Sequence, residues 1–144
     1  RRVHKVEEAL EAGGIVFRRS GLAERDRVSA WVAEKFSPPW GYEAAATFGE
    51  QGVKIFVAEE EGEVLGFASY GGLEPEWFGP IGVEERLRGK GIGSVLLFKA
   101  LESMREEGLS EAVIPWTSHL FFYTQVPGIK GVEHYVILSK KLGD

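Results

Sequence analysis

The sequence predicts one α/β domain built on a mixed sheet, and three observations lead there. Segments with helical spacing alternate with short β-rich runs along all 144 residues, without internal repeat, low-complexity tract or linker. Two of the β-rich runs flank a tight turn at Glu61-Gly62 and read as an antiparallel hairpin. A strand–helix–strand succession follows the hairpin, so the sheet is expected to be mixed.

Each element has its own reason. "RRVHKVEEALEAG" reads as a short helix ending at Gly13 or Gly14, and residues 14–20, "GIVFRRS", as a first strand. "LAERDRVSAWVAEKF" carries Val28, Trp31, Val32 and Phe36 at helical spacing, with Glu24 and Asp26 near its start, where the helix dipole favours acids. Pro38-Pro39 cannot continue that helix. "WGYEAAATFGEQG" is expected to form a second, shorter helix. Residues 54–59 and 63–70 are the hairpin strands, and 76–83, "EWFGPIGV", is another strand. A helix over 92–107 presents Ile92, Leu96, Ala100 and Met104 along one face. "EAVIPW", 111–116, reads as a strand ended near Pro115, "SHLFFYTQ" as a short helix, and "VEHYVILSKKL", 132–142, as a closing strand.

Composition narrows the function. Hydrophobic residues make up 44% and charged residues 27%, values that suit one domain with a real core, taken here as residues 1–144. The chain shows no apolar run of transmembrane length and no secretory pattern, so a cytoplasmic location is the default expectation and no membrane partner is expected. Cysteine is absent, which removes disulfides, thiolate metal sites and a cysteine nucleophile. The formal net charge of −5 argues against a general nucleic-acid binder.

The most informative stretch is "EERLRGKGIGSVLLFKALESMREEG", residues 84–108. Glycines at 89, 91 and 93 stand between basic residues and a helix. A glycine loop can aim consecutive backbone N–H groups at one point, because glycine tolerates the required dihedrals and carries no Cβ. The helix behind it adds N–H groups without intrahelical partners and the positive end of its dipole. Together these make an anion site suited to phosphate. Arg86, Arg88 and Lys90 concentrate positive charge there within an acidic chain, and Ser94 adds a hydroxyl at the helix start. The competing reading is a glycine-rich turn carrying solvated charges. A Walker loop is excluded, because the Gly89-Lys90 pair is followed by glycine. A dinucleotide fingerprint is excluded too, because the spacing is G-x-G-x-G and comes late in the chain.

The run Arg88-Gly89-Lys90-Gly91-Ile92-Gly93 resembles the R/Q-x-x-G-x-G/A motif of the GNAT acetyltransferase superfamily. The resemblance extends over nearly the whole chain: "FGPIGVEER" before the motif, "VLLFKALESM" after it, then "FFY". It implies a mixed, mostly antiparallel sheet with helices on both faces and a central pair of strands, 79–83 and 111–116, that splay apart. It also implies that Arg88, Gly89, Lys90, Gly91, Ile92, Gly93 and Ser94 wrap the pyrophosphate of acetyl-coenzyme A (acetyl-CoA), the cosubstrate. The strand bearing Ile81, Gly82 and Val83 would lie along pantetheine, with Ile81 and Val83 offering backbone hydrogen bonds. No metal is required.

The implied reaction is direct attack of a neutral primary amine on the acetyl thioester. A backbone N–H of strand 79–83 would stabilise the oxyanion. Tyr123 matches the tyrosine that in this family often protonates the leaving thiolate; the competing reading is that it only packs. Trp40, Glu76, Trp77 and His119 fall at places implied for the acceptor side, while the general base stays open among Glu76, His119, His134 and relayed water. The family often has an asparagine before the tyrosine helix, where this chain has Thr117, Ser118 and His119, so the acceptor is left as a small-molecule, amino-sugar or peptide amine. A homodimer is also left open. The function expected is N-acetyl transfer; the alternatives are an acyl-CoA-binding sensor or interaction domain without turnover, and a structural protein whose glycine loop binds nothing.

Overall fold

The computed structural model describes residues 2–115, 117 and 120–132. Its centre is a four-stranded antiparallel sheet with the order β1-β4-β5-β6, formed by β1 (Val16–Arg19), β4 (Ile55–Glu60), β5 (Glu63–Tyr70) and β6 (Phe78–Val83). The β4–β5 turn falls on Glu61 and Gly62, both at positive φ (50° and 82°), the geometry whose twist matches a two-residue hairpin.

Helices cover both faces, as the resemblance implies. On one face α1 (Arg2–Ala12), α4 (Ile92–Glu106) and α5 (Leu120–Tyr123) enclose a core of Phe56, Leu65, Phe78, Ile92, Leu96 and Tyr123. On the other, α2 (Arg25–Lys35) and α3 (Pro38–Ala46) close over Val28, Val32, Ala44, Ile55, Val57 and Phe67. Alternate residues of β4 divide between the two cores, as strand geometry requires.

The prolines that end α2 begin α3. Ser37 is the N-cap, its side chain accepting the Trp40 N–H at 3.4 Å, and Pro38 and Pro39 occupy the first two helical positions, where no N–H is needed. Gly41 lets α3 approach α2 closely, since a Cβ there would stand 2.7 Å from the Ala33 Cβ. Helix α3 is shorter than the sequence suggests. It stops at Ala46, and residues 48–53 instead form a small hairpin of β2 (Phe48–Gly49) and β3 (Gly52–Val53). Phe48 and Val53 pair across it and are both buried, a gain that a continued helix would forgo.

The expected strand over 111–116 is reduced, among the described residues, to one bridge. Val113 pairs in parallel with Trp77, donating to the Glu76 carbonyl and accepting from the Phe78 N–H, both at 2.8 Å. This parallel contact makes the arrangement mixed. Beyond Phe78 no described residue pairs with the free side of β6, as expected for strands that splay. The closing strand predicted for 132–142 falls almost entirely outside the described residues.

Candidate functional site

Strand β6 leads into the glycine loop through a short 3-10 turn, Glu85–Leu87. Gly89 (φ 80°) and Gly91 (φ 95°) take left-handed backbone, and Gly91 is the N-cap of α4. No side chain caps this helix, so the N–H groups of Ile92, Gly93 and Ser94 have no intrahelical acceptor and none is supplied by a capping side chain. The Arg88 Nε donates to the Val83 carbonyl at 3.3 Å, which ties the loop back to the end of β6.

These groups open onto a cleft of about 770 Å³. Its floor is Ile81, Gly82 and Val83 of β6; one end is formed by Arg88, Gly89, Gly91 and the α4 start. Phe122 and Tyr123 of α5 stand beside it, and Phe36 and Trp40 form the opposite wall. Glycines set two of these contacts. A Cβ on Gly93 would stand 3.3 Å from the Phe122 ring, so its absence lets α5 come close to the first turn of α4. A Cβ on Gly82 would run into the far end of the Phe36 ring, at its Cζ. Phe36 stacks in turn on Trp40, with ring centroids 5.2 Å apart and planes 29° apart.

Tyr123 is only 8% exposed, with its ring edge-on to Phe78 (6.1 Å) and Phe122 (5.1 Å). Burial pushes its phenol up to about 12, so it carries its proton at neutral pH. The charges near the loop divide. Arg86 pairs with Glu84 at 3.3 Å and Lys35 approaches the same carboxylate at 3.7 Å, while Arg88 lines the cleft. Among the described residues no cluster of three or more His, Asp or Glu side chains could hold a metal ion, and no helix is long and apolar enough to cross a membrane.

The cleft gathers Tyr123, Trp40, Ile81, Gly82, Val83, Arg88, Gly89, Gly91, Ile92, Gly93 and Ser94, all named from the sequence. Lys90 is exposed on the loop and does not line the cleft. Glu76 and Trp77 do not line it either; their backbones engage Val113 in the parallel bridge. His119 and His134 lie outside the described residues. Phe36, Leu87, Thr117 and Phe122 are cleft residues that the sequence reading did not place. Phe36 had one usable signal, a glycine in mid-strand at 82, which marks close approach of another group.

An uncapped, glycine-led helix start and a buried, protonated phenol thus line one and the same cleft. The model of the acetyltransferase (GNAT) family matches residues 22–120, and the chain belongs to that family. A stretch of 66 residues is 29% identical to the uncharacterized N-acetyltransferase YhbS of Escherichia coli, covering 41% of this chain and 40% of that protein. The chain thus matches well under half the length of that curated relative. Two solved structures share the fold. One is a GNAT family acetyltransferase from Brucella melitensis in complex with acetyl-CoA, with a TM-score of 0.57 and 24% identity over 75% of this chain and 80% of that one. The other is an aminoglycoside acetyltransferase from an uncultured soil metagenomic sample in complex with sisomicin, with a TM-score of 0.58 and 13% identity over 92% and 99%.

Proposed function

We propose that this chain is an acetyl-CoA-dependent N-acetyltransferase acting on a primary amine. The observation that carries the reading is that a single cleft joins the uncapped start of α4 to the buried, protonated Tyr123. Family membership supports acetyl transfer, and the Brucella structure shows that the fold can hold acetyl-CoA.

The cleft fits such a ligand by the chemistry of its walls. Backbone N–H groups of Ile92, Gly93 and Ser94 would hold the pyrophosphate, helped by the α4 dipole and by Arg88. The backbone of Ile81 and Val83 would pair with the amides of the pantetheine arm. Acetyl-CoA supplies the thioester; the neutral amine nitrogen would form the new C–N bond as the C–S bond breaks and shed one proton to water, leaving an amide and free coenzyme A. Water would return a proton to the phenol that protonates the sulfur. Tyr123 would supply the proton that the departing sulfur takes up, and a β6 N–H would face the developing oxyanion. Phe36 and Trp40 form the wall on the side left for the acceptor. Aminoglycoside binding by the metagenomic relative illustrates one amine class among those the fold accepts.

The test is thermal unfolding with saturating acetyl-CoA, with ATP and NAD as controls. At a ligand excess of about 100 times Kd the stabilisation should be roughly 2.7 kcal/mol, a melting shift of several degrees. Thiol release with a panel of amines then reads turnover. A shift without release for any amine would favour a sensor domain; no shift with acetyl-CoA up to millimolar concentration would remove the enzyme reading.

A further inference from the structure

We propose that Val6, on the amino-terminal helix α1, is a positioning residue for the anion-binding loop: it braces Gly91 from behind so that the start of α4 is ordered before the cosubstrate arrives. The proposal rests on the acetyl-CoA reading given above.

Gly91 has two sides. One lines the cleft. Against the other lies Val6, whose Cγ1 is 2.5 Å from where a Cβ on Gly91 would stand. Gly91 is also the left-handed N-cap of α4, so its dihedrals set where the N–H groups of Ile92, Gly93 and Ser94 point. The other left-handed glycine of the loop, Gly89, has open space at the corresponding position. One glycine of the loop is therefore braced and the other is free. Helix α1 is itself held in place. Glu7 pairs with Lys99 of α4 at 2.7 Å, with both side chains less than a third exposed. Val3, Val6 and Leu10 pack against the core cluster that contains Ile92 and Val95.

The physical consequence follows from loop entropy. A loop with two glycines has wide conformational freedom, and ordering it on binding subtracts from affinity. A side chain that restricts Gly91 in the free protein removes part of that cost. Helix α1 precedes residues 22–120, the portion matched by the family model.

The experiment compares Val6→Ala with Leu10→Ala. Both shorten a partly buried side chain of α1 that packs on the same core, but only Val6 meets Gly91. Calorimetric titration with coenzyme A gives Kd, and thermal unfolding gives the melting temperature. Val6→Ala should weaken coenzyme A binding about fivefold or more, while Leu10→Ala lowers the melting temperature at unchanged Kd. Equal changes in Kd, or none in Val6→Ala, would overturn the proposal. Hydrogen exchange on the wild-type protein provides an arm free of folding defects. Coenzyme A should slow exchange in residues 2–12 together with 88–94, because coupling is reciprocal. Protection of 88–94 without any change in 2–12 would also overturn it. A wild-type protein with no coenzyme A affinity would remove the acetyl-CoA reading beneath it, a result that neither variant could imitate.

Discussion

At its first turn α4 leaves polar groups open; at its last turns it closes them. The amino-terminal end has a glycine cap, no capping side chain, and N–H groups turned toward a cleft. Near the other end, Ser103 is 4% exposed and shares a 2.7 Å hydrogen bond with the hydroxyl of Tyr70, which is fully buried. Arg19 donates to the same Ser103 oxygen at 2.9 Å and to the Val53 carbonyl at 2.6 Å, and its guanidinium lies 4.7 Å over the Phe56 ring. Buried polar groups are costly unless paired; the closed end meets that requirement within the protein, and the open end is where a ligand would complete the pairing. On the proposed reading, one helix separates binding from stability along its length.

The sharpest way to break this comparison is Ser94→Asp. An acid in the first turn suits the helix dipole, so folding should be kept or slightly improved. The same carboxylate would face the pyrophosphate in the cleft. Like charges about 4 Å apart at a protein surface repel by several kcal/mol, so acetyl-CoA affinity should fall about a hundredfold or more. Titration with coenzyme A beside a melting curve checks both halves. A variant that melts normally and binds normally would show that the open end of α4 is not the anion site. Gly91→Glu, an obvious alternative, is a poorer probe, because its Cβ would first meet Val6 and a binding defect could come from displacing α1.

Tyr123→Phe tests the cleft's chemistry without touching its charge. The ring remains packed against Phe78 and Phe122, so acetyl-CoA affinity should hold. Loss of the proton donor should lower kcat about a hundredfold. The raised phenol adds a pH signature. Because burial raises the folded-state value to about 12, deprotonation of Tyr123 should not limit the rate near pH 10 or below. A wild-type alkaline limb near pH 10, absent in Tyr123→Phe, would contradict the environment described here, and an unchanged kcat would remove Tyr123 from the reaction.

The sequence carried one end of this contrast better than the other. The glycine spacing at 89, 91 and 93 announced the loop that leads into α4, because backbone geometry is written directly in where glycine stands. The helix over 92–106 and the hairpin at Glu61-Gly62 were legible for the same local reasons. The closed end was not. Arg19, Ser103 and Tyr70 are scattered across the chain, and only the packed sheet brings them together. Phe36 was read only as one of four apolar residues at helical spacing, since nothing local says that its ring will meet Gly82. Glu76 and Trp77 were assigned to the acceptor side by counting back from the motif, and nothing in that count announced the backbone bridge they make with Val113. The small hairpin over 48–53 was absorbed into a helix, because a two-residue pairing leaves almost no periodic signal.

The smallest expected effect belongs to the closed end. Tyr70→Phe keeps the ring and removes the hydroxyl that meets Ser103. Ser103 retains the Arg19 donor, so its oxygen is not orphaned, and the loss should be about 1–2 kcal/mol, a melting temperature lower by several degrees. Burial already pushes the Tyr70 phenol above its ordinary value, so no ionised tyrosine is lost near neutral pH and the destabilisation should be flat there. Acetyl-CoA affinity and kcat should stay at wild-type values, because Tyr70 does not line the cleft. If kcat fell along with stability, the two ends of α4 would be coupled, and the helix would be transmitting strain from the buried hydroxyl pair to the loop instead of keeping the two tasks apart.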